Sequence, residues 1–355
     1  GIGNMNILFI SLNNFKDINY GGGQCSKRNF SVLQQVGNVD YKIICKKNNR
    51  ESIISILQGK FPPITKEDEE YIKKNLDKYS IVFLDSSLLG HLAKCIKKIN
   101  KRIFIISFCH NVEYDYIDVR MNKGIKNFIY KKLAKRHERL SLLYADKIIA
   151  LNNRDSNRLK FLYNREADCI LPISFTDNYH GVNDRCELPE KPIGIFVGAF
   201  GRANYEGVKW FVQNSKSLNH INFQIIGKGF ENVKSELEQY ECNVIGTVDN
   251  LEKYYENAEF VISPILFGGG MKVKIAEALM YGKTVFGTRE ALEGYEDEKG
   301  NSLYECNNIR EFDTQISNWL NNNRNRFNKN SRELYLKKYS TDIIEAQFKN
   351  LISGK

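Results

Sequence analysis

Short apolar runs separated by longer amphipathic stretches recur along the whole chain, and no other feature restricts its fold so strongly. "NILFIS" (6–11), "YKIIC" (41–45), "IVFLD" (81–85), "RIFIISFC" (102–109), "KIIAL" (147–151) and "DCILP" (168–172) read as buried strands. Between several of them lie helical patterns. "IKNFIYKKLAKRHERLSLLYA" carries apolar residues at 125, 129, 133, 140 and 143, one face of a helix. Strand–helix alternation of this kind predicts an α/β fold with mostly parallel sheets and helices on both faces.

Around 172–192 the alternation lapses. "PISFTDNYHGVNDRCELPEKP" holds three of the six prolines and has no periodicity, so it reads as a linker. Strands then resume as "IGIFVGAF", "NFQIIG", "CNVIG", "FVISP", "KTVFGT" and "SLYEC", with helical stretches between most of them. Beyond about 308 the tail is helical and polar. A chain of 355 residues is long for a single core. The expected organisation is a first α/β domain over 5–175, a linker over 176–192 and a second α/β domain over 193–338.

Composition narrows the function. No apolar stretch approaches the roughly 18 residues of a membrane span. The eight cysteines never form CxxC, and most sit inside apolar runs, which points to free thiols in a reducing, cytoplasmic compartment. The formal charge of +10 invites an anionic partner. Without zinc-finger spacing, an RNP motif or a basic–aromatic strand platform, that partner is not expected to be nucleic acid. Residues 120–139 hold eight Lys/Arg and one acid, Glu138. Such a run reads either as a solvated helix face or as a contact for an anionic membrane surface or lipid-phosphate acceptor.

The chemistry concentrates where strands end. In open parallel sheets, ligands bind outside the carboxyl ends of the strands. "FVISPILFGGGMKVKIAEALMYGKTV" runs from a strand through Gly268, Gly269 and Gly270 into a helix. Glycines let backbone N–H groups approach an anion, and the helix N-terminus adds unpaired donors and partial positive charge. Lys274 and Glu277, three apart, share a face; Lys272 is turned away from Lys274. A diphosphate at the helix start would meet Lys274, with Glu277 placed to accept from sugar hydroxyls such as those of a ribose. The same Lys–Glu spacing is also that of a plain surface pair. Walker A and GxGxxG patterns are absent.

Other strand ends repeat the theme. "FVGAFGRAN" places Gly198 and Arg202 after a strand, where the arginine either clamps phosphate or is simply exposed. "IIGKGF" supplies Gly227 and Lys228, and "VIGTVDN" could offer backbone groups, around Val248, to a nucleobase. In the first half, Gly21, Gly22 and Gly23 read as an anion-friendly loop or an ordinary turn. "FCHNVEYD" sets His110, Asn111 and Glu113 at a strand end. With no DxD triplet and no metal-ligand spacing, a leaving diphosphate would have to be stabilised by Lys, Arg and backbone.

"SPILFGGGMKVKIAEALMYGKTVFGT", preceded in order by "GIFVGAFGRANYEGVKWFV", "FQIIGKGF" and "NVIGTVDNLEKYYENAEFVISP", resembles the donor domain of the GT-B glycosyltransferases of family 4, also called group 1. "NILFIS…GGG" and "CHNVE…KRHERLSLLYADKIIALNNRD" resemble its amino-terminal domain more loosely. The resemblance implies two Rossmann-like domains with the active site in the cleft between them, and a C-terminal helix, about 340–355, packing back on the first domain. It implies metal-independent transfer of a sugar, without a cofactor, from a nucleotide-diphosphate sugar (a UDP-sugar favoured) to a saccharide or lipid-linked hydroxyl. Anomeric configuration would be retained, and the setting would be capsule, lipopolysaccharide or other bacterial surface glycan synthesis.

Carried over, Lys274 and Arg202 bind the diphosphate and Glu277 the ribose. Gly268, Gly269, Gly270 and Met271 border phosphates and sugar, His110 lies beside the transferred sugar, and Gly21–Gly23 close over the phosphates. Gly198, Gly227, Lys228, Val248 and Lys272 complete the donor-binding set.

Two departures stand out. Much of the family has a glutamate eight residues before the one matching Glu277, where this chain has Gly269. The usual Arg…Lys-Gly pair is here Arg202…Glu206-Gly207, with Lys272 or Lys228 as substitute cation. Two other readings fit the same architecture, a non-catalytic glycosyltransferase-like subunit and a nucleotide-sugar 2-epimerase.

Overall fold

A computed structural model describes residues 5–16, 21–44, 48–181 and 187–354. The chain divides into two compact units, one running up to Pro172 and resuming at Glu345, the other Ile173–Ile344.

The first unit is built on six parallel strands, β1 (Asn6–Ser11), β2 (Asn38–Ile43), β3 (Ile81–Leu84), β4 (Phe104–Cys109), β5 (Lys147–Ala150) and β6 (Cys169–Ile170). Their order in the sheet is β2-β1-β3-β4-β5-β6. Residues 7–10 and 81–84 are wholly buried, as strands covered on both faces must be. Alternate side chains build separate cores. Leu8, Ile10, Val82 and Leu84 lie in one cluster. Phe9 stacks on Phe83 at 5.4 Å, and Phe348, from the C-terminal helix Thr341–Ser353, lies on Phe83 at 5.7 Å. The chain passes from β1 to β2 on one side and returns to β3 on the other, so the strand order reverses between β1 and β3.

The second unit repeats the plan with β7 (Ile193–Val197), β8 (Asn222–Ile226), β9 (Asn243–Gly246), β10 (Phe260–Ser263), β11 (Thr284–Gly287) and β12 (Leu303–Glu305). The order is β12-β11-β10-β7-β8-β9, again parallel throughout. Phe211, Phe223, Phe260, Phe286, Phe312 and Trp319 fill its core edge-to-face. Here the order reverses between β7 and β10. Both units are thus Rossmann-like.

Several expectations are adjusted. Residues 173–181 belong with the second unit and are not a free linker: the Phe175 N–H donates to Tyr339 O at 3.0 Å, Tyr335 Oη donates to Phe175 O at 2.6 Å, and Arg332 pairs with Asp177. Gly21–Gly23 are not a loop but the opening of the helix Gly21–Val36. The helical stretch between β8 and β9 shortens to a 3₁₀ turn, Phe230–Val233, and one α-turn, Lys234–Leu237. Glu231 turns back to accept from the N–H groups of Gly229 and Thr247, and Glu238 accepts from Val244 N–H, so local acceptors compete with helix extension.

Candidate active site

Ligands of parallel sheets collect where strand order reverses, outside the carboxyl ends. In the second unit that point lies between β7 and β10, and the glycine-rich segments following both strands gather there. Gly198 directly follows β7, its N–H donating to Ile226 O at 3.0 Å, and Phe200 N–H donates to Lys228 O at 2.8 Å. These bonds tie the loop after β7 to the loop after β8. The approach is so close that a Cβ on Gly227 would stand 1.7 Å from Gly198 O, and Gly227 has φ +157°. No side chain fits there.

After β10 the chain reaches Phe267, then three consecutive glycines at positive φ: Gly268 (136°), Gly269 (67°) and Gly270 (83°). Only glycine takes such angles in succession without strain. A Cβ on Gly268 would stand 3.7 Å from the Ala203 methyl, in the first turn of the helix Arg202–Asn214. Arg202 lies over the Phe267 ring at 5.4 Å and donates from Nε to Glu206 at 3.0 Å, with its side chain 82% exposed. The structure therefore brings Gly198, Arg202, Gly227, Lys228 and Gly268 together. Val248 is half-buried just beyond β9, next to Thr247, whose hydroxyl donates to Glu231.

The helix after the glycines is Val273–Met280, so Met271 and Lys272 precede it. Lys272 occupies the cap position without a side-chain capping bond, and no acid stands in the first turn. Two lysines two residues apart then diverge. Lys272 turns inward: Nζ donates to Glu290 Oε1 and to Gly270 O, both at 2.8 Å, with Glu293 at 3.6 Å. Lys274 stays half-exposed and donates to Glu277 Oε2 at 2.8 Å. Glu277 is largely buried and also accepts from the hydroxyl of fully buried Tyr255 at 2.9 Å. Burial and the Glu277 carboxylate push that phenol well above its ordinary pKa, so it remains a donor. Tyr255 in turn stacks on Tyr281 at 4.5 Å.

Glu290 and Tyr255 were absent from the sequence-derived set. The Gly269 N–H donates to Glu290 at 2.5 Å, so this N–H is directed to a carboxylate of its own chain. Glu290 follows β11 at the same end of the sheet, a position that could have drawn attention to it. Tyr255 sits in a helix before β10, where no sequence signal marks it.

The first unit has its own cluster where β1 and β3 part. Asp85, directly after β3 and wholly buried, accepts from Ser11 Oγ at 2.9 Å and Asn29 Nδ2 at 3.2 Å, and pairs with His110 Nε2 at 3.0 Å. Burial opposes charge on the His110 ring. The Asp85 carboxylate outweighs it, with a further contribution from Cys25, and His110 stands well above its ordinary pKa as an imidazolium. Glu113, three residues on, is buried with Oε2 unpartnered. Burial pushes its carboxyl up to about 7, with Arg120 opposing and Glu138 adding.

Against known proteins, residues 191–322 match the family model described as Glycosyl transferases group 1. An uncharacterized 44.6 kDa protein of the cps region of Klebsiella pneumoniae is 26% identical over 233 residues, 60% of this chain and 58% of that protein. The match thus spans little more than half of that relative's length. Among solved structures, sucrose-phosphate synthase from Thermosynechococcus elongatus superposes with TM-score 0.71 at 14% identity, over 99% of this chain and 98% of that one. Anabaena Alr3699/HepE, in complex with UDP, superposes with TM-score 0.67 at 11% identity, over 99% and 100%. The fold is that of the GT-B glycosyltransferases, with two Rossmann-like domains. Together with the family match over 191–322, it supports a glycosyltransferase.

Proposed function

We propose that this chain moves a sugar from a nucleotide-diphosphate sugar, with UDP as the favoured nucleotide, to a hydroxyl of a saccharide or lipid-linked acceptor in bacterial surface polysaccharide synthesis. One observation carries the reading. At the β7–β10 switch point, three positive-φ glycines run into a helix bearing Lys274 and Glu277, inside the segment that matches the group 1 family. The UDP complex of the similarly folded Anabaena protein supports the choice of nucleotide, and the cps-region relative supports surface polysaccharide as the product class.

In this reading Lys274, Arg202 and the uncapped helix start stabilise charge on the diphosphate as the glycosidic bond breaks, without a metal. Glu277, oriented by Tyr255, accepts from the ribose hydroxyls. His110, its Nε2 committed to Asp85, borders the transferred sugar, and in a retaining course the leaving phosphate takes the acceptor proton. The protein would work at the inner face of the membrane. Ile125, Phe128 and Ile129 are 83%, 59% and 43% exposed among Lys126, Lys132 and Lys135, a surface suited to anionic lipid. Among the described residues no helix is long and apolar enough to cross a membrane.

The test is a thermal-shift series with UDP, GDP, dTDP, CMP and ADP, followed by release of nucleotide diphosphate from the matching sugar donor. At a hundred times its dissociation constant a ligand adds about 2.7 kcal/mol, roughly 5–10 °C for units of this size. UDP alone should raise the midpoint. No shift with any nucleotide defeats the reading; binding without turnover would make the chain a non-catalytic subunit.

A further inference from the structure

The glycine loop proposed to receive the diphosphate is held by one neighbouring segment, the stretch that follows β11. At one end of the loop the Thr288 hydroxyl donates to Ile265 O, and at the other fully buried Tyr295 donates from Oη to Lys272 O at 2.7 Å. Between these two, Glu290 Oε1 accepts from the Gly269 N–H at 2.5 Å and from the Lys272 ammonium at 2.8 Å. The same ammonium donates to Gly270 O at 2.8 Å and stands 3.6 Å from Glu293 Oε2.

These contacts differ in kind. Thr288 and Tyr295 bond carbonyl oxygens, which an anion cannot take over. Glu290 instead sets a negatively charged oxygen on a backbone N–H within a run of positive-φ glycines, the kind of backbone whose N–H groups bind anions. A carboxylate thus fills the position that a phosphate oxygen would need. The Glu290 side chain is 27% exposed, and one of its oxygens makes both bonds. A rotation of the carboxylate can give up the glycine and keep the lysine.

We propose that Glu290 regulates the donor site by occupying it: its carboxylate is the resident anion of the glycine loop, and the diphosphate of the donor binds by displacing it from Gly269. This role rests on the proposed reading of the loop as a diphosphate site. In the empty protein the carboxylate gives the Gly269 N–H a partner and holds the loop in one conformation. When the donor arrives, the same charge is a competitor. A diphosphate that also meets Lys274 and Arg202 overcomes it more readily than an anion bound at Gly269 alone.

The experiment titrates the full chain calorimetrically with inorganic pyrophosphate and, separately, with UDP, using wild type, Glu290→Gln and Glu293→Gln, with thermal unfolding run on each. The amide oxygen of E290Q still accepts from Gly269, but without charge. E290Q should therefore bind pyrophosphate about fivefold tighter or more, the difference between a charge-assisted and a neutral hydrogen bond. E293Q removes an equal charge beside the same lysine and should stay within about twofold of wild type. Replacing a glutamate that only supports the loop would weaken binding, so equal or weaker binding in folded E290Q overturns the proposal. An E293Q that tightens as much as E290Q overturns it too, since net charge would then be the cause. If pyrophosphate behaves as expected and UDP does not bind, the displacement stands and the nucleotide reading falls; if wild type and E290Q bind neither, both fall. A second measurement needs no variant. In protein labelled with ¹⁵N-glycine, the Gly269 amide resonance should move on saturation with pyrophosphate, and an unmoved resonance overturns the displacement.

Discussion

Lys272 and Lys274 are two residues apart and chemically identical, so replacing each by alanine separates structure from binding. Lys274 is 44% exposed, and its partner Glu277 keeps the Tyr255 hydroxyl when the lysine is gone. A half-exposed i,i+3 ion pair is worth about 0–1 kcal/mol. Lys274→Ala should therefore move the unfolding midpoint by no more than about 4 °C. If its ammonium meets the diphosphate, losing that charge-assisted hydrogen bond costs about 1.5–3 kcal/mol of binding, roughly a 10- to 150-fold rise in Kd for UDP.

Lys272→Ala should do the reverse. Its ammonium is 20% exposed and sits between Glu290 and Glu293, themselves 27% and 15% exposed. Removing it leaves two partly buried carboxylates facing one another and frees Gly270 O. Breaking a fully buried pair costs about 3–5 kcal/mol; partial exposure brings this to about 2, or roughly 4–8 °C. Calorimetric titration with UDP and thermal unfolding, run on both variants, read the two effects. A folded K274A that binds UDP like wild type, or a K272A as stable as wild type, refutes the assignment of roles.

The remaining expectations concern packing, the Glu277 support and pH. Gly227→Ala drives a methyl into Gly198 O and should cost about 3 kcal/mol or more, whereas Gly201→Ala, with open space around it and φ −171°, should stay within about 1 kcal/mol; denaturant midpoints compare them. Tyr255→Phe removes a hydrogen bond to the Glu277 carboxylate, and UDP affinity should fall about tenfold in titration if that carboxylate must be held in place. Glu113 is held protonated up to about 7 against an ordinary 4.5. Between those values the folded chain keeps a proton that the unfolded chain has lost. Its contribution is full below pH 4.5 and is lost as pH rises through 7, by up to about 3 kcal/mol. Glu113→Gln should abolish that fall in denaturation curves taken from pH 4.5 to 7.5. The opposing slope from His137, buried and pushed down to about 4, is present in both proteins and cancels in the difference.

Strands buried on both faces announce themselves by unbroken apolar runs, which is why "NILFIS", "IVFLD" and "FVISP" could be read before any coordinates. Their order in the sheet could not, because a parallel strand carries no mark of its neighbour. The glycines of the β7–β10 switch point were legible for a related reason, since positive φ in succession admits little else. The linker was misread because prolines and missing periodicity describe the chain locally, while Phe175 and Asp177 are held by Tyr335, Tyr339 and Arg332, more than 150 residues away.

The same limit divides the two lysines. Spacing alone turns Lys272 away from Lys274 on an ideal helix, but the helix begins one residue after Lys272, and what turns that side chain inward is Glu290 beyond the next strand. At Gly269, where the sequence departs from the pattern it resembles, the backbone N–H donates to Glu290. A carboxylate from a different strand end thus lies against the loop. It holds Gly269 and Lys272, while Lys274 and Arg202 stay 44% and 82% exposed. A pattern confined to one segment could register the glycine at 269 but not the carboxylate that reaches it from beyond the next strand.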